Sequence, residues 1–317
     1  MTCHVCGTSC RKFGSYGRAK IQRYRCNVCR KTFSDLKPES PIGEMRIPFE
    51  KAGQAIACLL EGCSIRSVER LVNLNRNTIM RLLLIAGVRS ARLMDAKMRR
   101  LKLKYLQLDE IWTFVQKKKR NRRSDDPPEF GDAWVFVALD EETKLIPAFF
   151  VGKRIKADTN MFLWDLYNRL DGRTQITTDG LHHYEEGVPV SFGLDVDFAQ
   201  LIKLFDHGQF DSPEGRYSPS PIAEVISKVR LGDPDPDHIS TSFVERSNLT
   251  MRQQMRRFTR LTLGFSKRLS HLKAAVALHL GFYNFCRVHS TLRVTPAMEA
   301  GLTDHIWSIR ELLEAGA

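Results

Sequence analysis

The chain has 317 residues, 43% hydrophobic and 27% charged, the composition of an ordinary globular protein and not of a disordered one. Its longest apolar runs, near 52–60 and 274–282, are too short or too interrupted to span a bilayer. The net charge of +13 is uneven: residues 1–123 hold 28 Lys and Arg against 9 Asp and Glu, whereas 124–317 hold 21 against 27. A basic first part points to a polyanionic partner, nucleic acid above all, and argues against generic stickiness. No apolar secretory segment opens the chain, so a bacterial cytoplasm is expected, at the nucleoid when DNA is bound. There the eight cysteines are expected to bind metal or stay reduced.

Residues 1–36 contain Cys3-His-Val-Cys6 and Cys26-Asn-Val-Cys29, with nineteen residues between the two knuckles. Four thiolates so spaced can close a tetrahedral site around structural Zn²⁺, and leave no open position for catalysis. About thirty residues bury too little surface to fold unaided, so the metal supplies the missing stability. Tyr24 and Phe33 are expected to cover this small core, and Cys10 competes with Cys6 as a ligand. Cys58, Cys63 and Cys286 read as plain buried thiols.

Residues 37–48, punctuated by Pro and Gly, form a linker. Three helices are expected next, at 49–60, 64–72 and 75–87, with Ser64 and Asn75 as N-caps. The break at 73–75 gives the last two the spacing of a helix-turn-helix. Arg76, Asn77, Thr78 and Arg81 on the third helix are types that contact base edges and phosphates.

Residues 102–115 alternate and are rich in aromatic and β-branched residues, so they form a strand. Asp109 sits inside it, where a carboxylate is costly without a metal or cation, whereas Glu110 is expected to face outward. The basic loop KKKRNRR at 117–123 is either a solvated turn or a phosphate contact. Strands follow at 134–140 and 144–151, joined by a tight turn in which Asp140 has an ordinary hairpin role. A helix at 158–170 leads to a strand over 175–178 that ends on Asp179-Gly180, which brings a carboxylate to a sheet edge. A further strand is expected at 196–205, with Asp195 and Asp197 as rival acids. Residues 206–238 are polar and Pro/Gly-rich and read as an inserted loop or hairpin. Within them Asp233, Asp235 and Asp237 imitate a calcium loop but lack its glycine and its final glutamate.

The stretch 239–260 reads as a helix starting near Thr241 or Ser242, with Glu245, Arg252 and Arg256 almost in line and Arg246, Arg257 and Arg260 off that line. A helix over 267–287 should pack on the sheet, with His271 and His279 as core or neighbouring residues, and a short helix closes the chain at 304–313. Asp109, Asp179 and Glu245, one from each of three elements, are hard oxygen donors suited to two Mg²⁺ (or Mn²⁺) ions.

Several stretches together resemble a known family. They are Tyr24-Arg-Cys-Asn-Val-Cys-Arg-Lys-Thr-Phe33, Asp109-Glu-Ile-Trp112, Thr178-Asp-Gly180 with Tyr184-Glu185, and Glu245-Arg-Ser-Asn-Leu-Thr-Met-Arg252 running on to Phe265-Ser-Lys267. The chain resembles transposases of the insertion-sequence-one family. The resemblance implies a multidomain protein: a zinc ribbon (1–36), an all-α helix-turn-helix domain (45–98), an α/β RNase H-like catalytic domain with a mixed sheet (102–295, with an insertion at about 206–238), and a tail helix (296–317). It implies Asp109, Asp179 and Glu245 as the catalytic triad, Arg252 as its basic companion, and Cys3, Cys6, Cys26 and Cys29 as zinc ligands. The expected partners are double-stranded DNA, as transposon ends and target, and further copies of the chain, with no membrane and no small-molecule substrate. Two departures stand out: family members often split these parts between two reading frames, and the distance from Asp179 to Glu245 is long here. A non-catalytic DNA-binding repressor and an RNase H-like nuclease are the rival functions.

Overall fold

The computed structural model describes residues 1–16, 20–34, 40–205, 222–259 and 262–317. These form two compact units, Met1–Glu44 and Met45–Ala317. Residues 35–39, shared between the expected ribbon and linker, and Arg260 lie outside the described residues.

The first unit is a three-stranded antiparallel sheet of β1 (Cys10–Tyr16), β2 (Ile21–Cys26) and β3 (Thr32–Ser34), in that order. Among its described residues the buried ones are Cys3, Ile21, Cys26 and Ile42. Tyr24 and Phe33, opposite one another across β2 and β3, are only half-buried. An apolar core of this size cannot hold a fold by burial alone.

The second unit opens with α1 (Phe49–Leu60), α2 (Ile65–Val72) and α3 (Arg76–Lys97). Both expected caps are present: Ser64 Oγ accepts from Ser67 N at 3.1 Å, and Asn75 Oδ1 accepts from Asn77 N at 2.9 Å. Between the helices Asn73 takes a left-handed conformation (φ 53°), which Asn adopts more readily than most residues. The third helix does not stop at Gly87, as expected, but continues to Lys97. At Gly87 it crosses the long helix α7 (Leu269–Phe285), and a Cβ there would penetrate the backbone of Ala274. This glycine marks a close helix crossing and not a helix end.

The six-stranded sheet has the order β6-β5-β4-β7-β8-β9. Its members are β4 (Tyr105–Val115), β5 (Gly131–Asp140), β6 (Ala148–Gly152), β7 (Thr174–Thr178), β8 (Val196–Phe205) and β9 (Ile222–Leu231). The pairs β4–β5, β5–β6 and β8–β9 are antiparallel, while β4–β7 and β7–β8 are parallel. Parallel neighbours need helical crossovers, which α4 (Lys156–Tyr167) and α5 (His182–Phe192) supply, packed on each other. Helix α6 (Ser242–Gln254) packs against β4 and β5.

One expectation is corrected here. The strand expected from residue 144 starts only at Ala148, because the Asp140 carboxylate accepts from Thr143 N and Oγ1 and holds the preceding turn. Within the expected inserted loop or hairpin at about 206–238 stands the strand β9, antiparallel to β8; residues 206–221 lie outside the described residues. The segments 45–98, 102–295 and 296–317 belong to one compact unit. The terminal helices α8 (Pro296–Glu299) and α9 (Ile309–Glu314) join it, with Leu312 and Leu313 fully buried and Leu313 O accepting from Arg89 Nη1 at 3.0 Å.

Candidate active site

Strand β4 pairs with β5 as far as Val115, but with β7 only as far as Leu108 opposite Thr178. Where β7 ends, β4 has an open edge, and Asp109 and Glu110 are its first residues past that point. Asp179 follows β7 directly. Carboxylate oxygens of Asp109, Glu110 and Asp179 all lie within 4.8 Å of one another. In open α/β sheets ligands gather at such carboxyl ends of parallel strands.

Neighbouring strand residues point to opposite faces, and this sets the two partners of the pair. Asp109 Oδ2 accepts from Asn248 Nδ2 of α6 at 2.8 Å, and its Oδ1 accepts from Glu110 N at 2.8 Å. Glu110 accepts from the hydroxyl of fully buried Tyr184 on α5, and pairs with Arg154 Nε at 3.0 Å. The same guanidinium reaches Asp179 Oδ2 at 3.3 Å and lies over the Trp134 ring. Asp179 Oδ1 accepts from Leu181 N at 3.0 Å, and Gln200 of β8 donates to the Asp179 carbonyl at 2.9 Å, holding the turn after β7.

The outward placement expected for Glu110 is therefore wrong: its side chain is 1% exposed. A central strand is covered on both faces, so alternation could not tell the two acids apart. Burial, aided by the Asp179 charge, pushes the Glu110 carboxyl up to about 8. Burial likewise raises Asp109 to about 6, with Asp179 and Glu245 adding repulsion. Three crowded, partly desolvated carboxylates with one guanidinium between them favour an added cation.

Glu245 stands apart from this cluster. It lies on α6 one turn before Asn248, its side chain is 44% exposed, and it accepts from Thr241 Oγ1 at 2.6 Å while pairing with Lys203 of β8. Thr241 is the N-cap residue of α6 but gives that helix no side-chain cap. Gln107 of β4 takes over, its Oε1 accepting from Phe243 N and Val244 N at 3.0 and 3.1 Å. Arg252 lies two turns beyond Glu245 and is half-buried. Arg256 is not in that line: α6 ends at Gln254, Met255 is extended, and Arg256 begins a separate turn. The rival acid Asp197 is bound to Arg173 at 2.6 Å, and Asp235 caps its own turn at Asp237 N.

The residues not singled out from the sequence are Glu110 in its buried role, Arg154, Asn248, Gln200 and Lys203. Arg154 and Lys203 carried no pattern distinguishing them from other basic residues; Asn248 lies in the quoted α6 motif and is placed only by packing. Of the expected DNA contacts, Arg76, Asn77 and Arg81 are exposed and Thr78 is half-buried.

In the first unit, Cys3, Cys6, Cys26 and Cys29 bring their sulfurs within 4.8 Å of one another, a grouping able to hold a metal ion. Each knuckle turns on a left-handed residue directly after it, Gly7 (φ 68°) and Arg30 (φ 56°). Hydrogen bonding by Thr8 holds the exposed Cys6 thiol down to about 6, which favours the thiolate a metal requires. Cys10, opposite Cys26 on β1, is outside the group and donates to the Thr8 carbonyl at 3.6 Å.

No family model matches this chain, and no curated protein matches it. Among solved structures the chain is similar to the piggyBac transposase in a cryo-EM synaptic complex with hairpin DNA, at 9% identity and a TM-score of 0.31. That likeness covers 78% of this chain and 55% of the other, so the chain spans about half the length of that transposase.

Proposed function

We propose that this protein is a DDE transposase of an insertion sequence, which binds terminal inverted repeats and carries out Mg²⁺-dependent cleavage and transfer of DNA strands. The observation that carries this reading is the convergence of Asp109, Glu110 and Asp179 where β7 stops pairing with β4. Acids placed mid-strand and at the end of a parallel neighbour support an RNase H-like domain, as the family resemblance implies.

The donor set suits hard divalent cations, being all carboxylate oxygen. Two Mg²⁺ ions, or Mn²⁺, would there activate water or a 3′-hydroxyl and neutralise the leaving 3′-oxygen. Asp109 and Asp179 hold them, with Asn248 orienting Asp109 and Tyr184 fixing Glu110 beside it. Glu245 completes the set from α6 when its pair with Lys203 opens. Arg252 and Arg256 bind phosphates of the scissile strand, and Arg76, Asn77, Thr78 and Arg81 contact the transposon end. The four-cysteine cluster holds structural Zn²⁺. Joining two ends requires more than one copy, so the working form is at least a dimer.

The test uses labelled DNA from the flanks of the coding region. Asp109→Ala should abolish Mg²⁺-dependent cutting and joining while end binding persists; full activity in that variant overturns the assignment. A wild-type chain that binds ends but never cuts is the non-catalytic repressor. One that cuts RNA–DNA hybrids without joining strands is a nuclease.

A further inference from the structure

A second constellation lies apart from the carboxylates. A cavity of about 930 Å³ opens between the first turns of α2 and α3, residues 255–257 and 263–268, and α7. Among the described residues six cations line it, Arg66, Arg76, Arg256, Arg257, Lys267 and Arg268, and no Asp or Glu does. Among the described residues none of these six side chains forms an ion pair with a carboxylate. Its floor is apolar, formed by Leu60, Met80, Leu83 and Leu278.

Two further features point to an anion. Arg257 is half-buried and donates to a neutral partner, Ser266 Oγ, at 3.0 Å; burial pulls its pKa down to about 10. A desolvated guanidinium without a counter-charge is costly until an anion arrives. The start of α2, capped by the neutral Ser64 hydroxyl, adds the positive end of a helix dipole, whereas at α3 the Glu69 carboxylate already accepts from Arg76 N at 3.0 Å.

The wall of the cavity is also hydrogen-bonded to the strand that bears two of the carboxylates. Arg257 O accepts from Thr113 Oγ1 at 3.4 Å, and Ser266 bridges to Val115 at the end of β4. Thr113 shares the face of Asp109 four residues on, about 13 Å at roughly 3.3 Å per residue.

We propose that this cleft holds a short single-stranded stretch of nucleic acid, its phosphates on the basic side chains and its bases on the apolar lining. A basic groove with apolar and aromatic surface is what sequence-tolerant strand binding requires, and Phe265 supplies a half-buried ring in the wall. A cavity of about 930 Å³ is too small to take in a duplex, whose major groove alone is about 12 Å wide. The proposal rests on the reading above only for nucleic acid as the ligand; the binding itself needs no metal.

The experiment is fluorescence anisotropy on the full chain without added Mg²⁺, with a short labelled oligothymidylate and a blunt duplex of equal length. Arg66→Glu with Lys267→Glu reverses two exposed charges and leaves the core untouched. Single-strand affinity should fall at least about tenfold, and the salt slope should flatten by about 0.7 for each phosphate no longer neutralised, with a smaller effect on the duplex. Arg257→Gln should weaken the same binding, with thermal unfolding as its folding control. Unchanged single-strand affinity in the double variant overturns the proposal, as does an equal loss for both DNAs. A chain that never cuts DNA gives the same binding readout, so failure of one proposal is distinguishable from failure of the other.

Discussion

Asn248 Nδ2 donates to Asp109 Oδ2 at 2.8 Å, so helix α6 grips the central strand at the acid nearest the end of β7. Residues that orient metal-binding carboxylates matter nearly as much as the carboxylates themselves. Asn248→Ala should slow Mg²⁺-dependent strand cleavage by roughly 10- to 100-fold. End binding and the far-UV circular dichroism spectrum should be retained. Wild-type rates in that variant would show that Asp109 needs no orienting partner.

The ribbon predictions turn on which thiols bind metal. Cys26→Ser should lose the metal and unfold Met1–Glu44, whose core is otherwise nearly absent, while Met45–Ala317 keeps its amide protection. Cys10→Ser should retain one Zn²⁺ per chain. Metal analysis with hydrogen exchange reads both, and metal loss in the Cys10 variant would reinstate Cys10 as a ligand.

Two glycine substitutions should act in opposite directions. At Gly87 an added Cβ would strike the Ala274 backbone, which a side-chain rotation cannot relieve, so Gly87→Ala should cost at least about 1–3 kcal/mol. At Gly53, inside α1, a Cβ meets only Phe49 Cε1 at 3.9 Å. Gly53→Ala should therefore stabilise by roughly 0.5–1 kcal/mol. Denaturant midpoints measure both.

His279 sets a pH dependence of stability. Burial, helped by the Arg287 charge, lowers its pKa to about 4, against 6.5 when unfolded, and its Nδ1 has no hydrogen-bond partner. The unfolded chain therefore binds the extra proton first as pH falls. The contribution is complete above pH 6.5 and is lost as pH falls through about 4, amounting to a few kcal/mol. His279→Leu should flatten the stability profile in that window, seen by denaturant titrations at stepped pH.

How much the sequence revealed depended on how far local chemistry decided the outcome. The caps Ser64 and Asn75 and the strand over 105–115 were legible, because a cap or an apolar alternation needs only its neighbours. The grouping of four cysteines followed from knuckle spacing. Gly87 misled because a helix crossing and a helix end both call for glycine, and only the partner helix tells them apart. Glu110 misled because β4 is covered on both faces. The line from Glu245 to Arg256 failed where α6 stops at Gln254, a boundary without glycine or proline. Arg154 and Lys203 are brought to the carboxylates by strand pairing and helix packing alone.

Gln107 has a consequence for how the chain tolerates change in length. Because a strand amide receives the first free N–H groups of α6, that helix is indexed to the strand bearing Asp109 and not to the chain that precedes it. The spacing of Asn248 and Glu245 from Asp109 is thus set by a strand-to-helix gauge and not by the length of chain between Asp179 and Glu245.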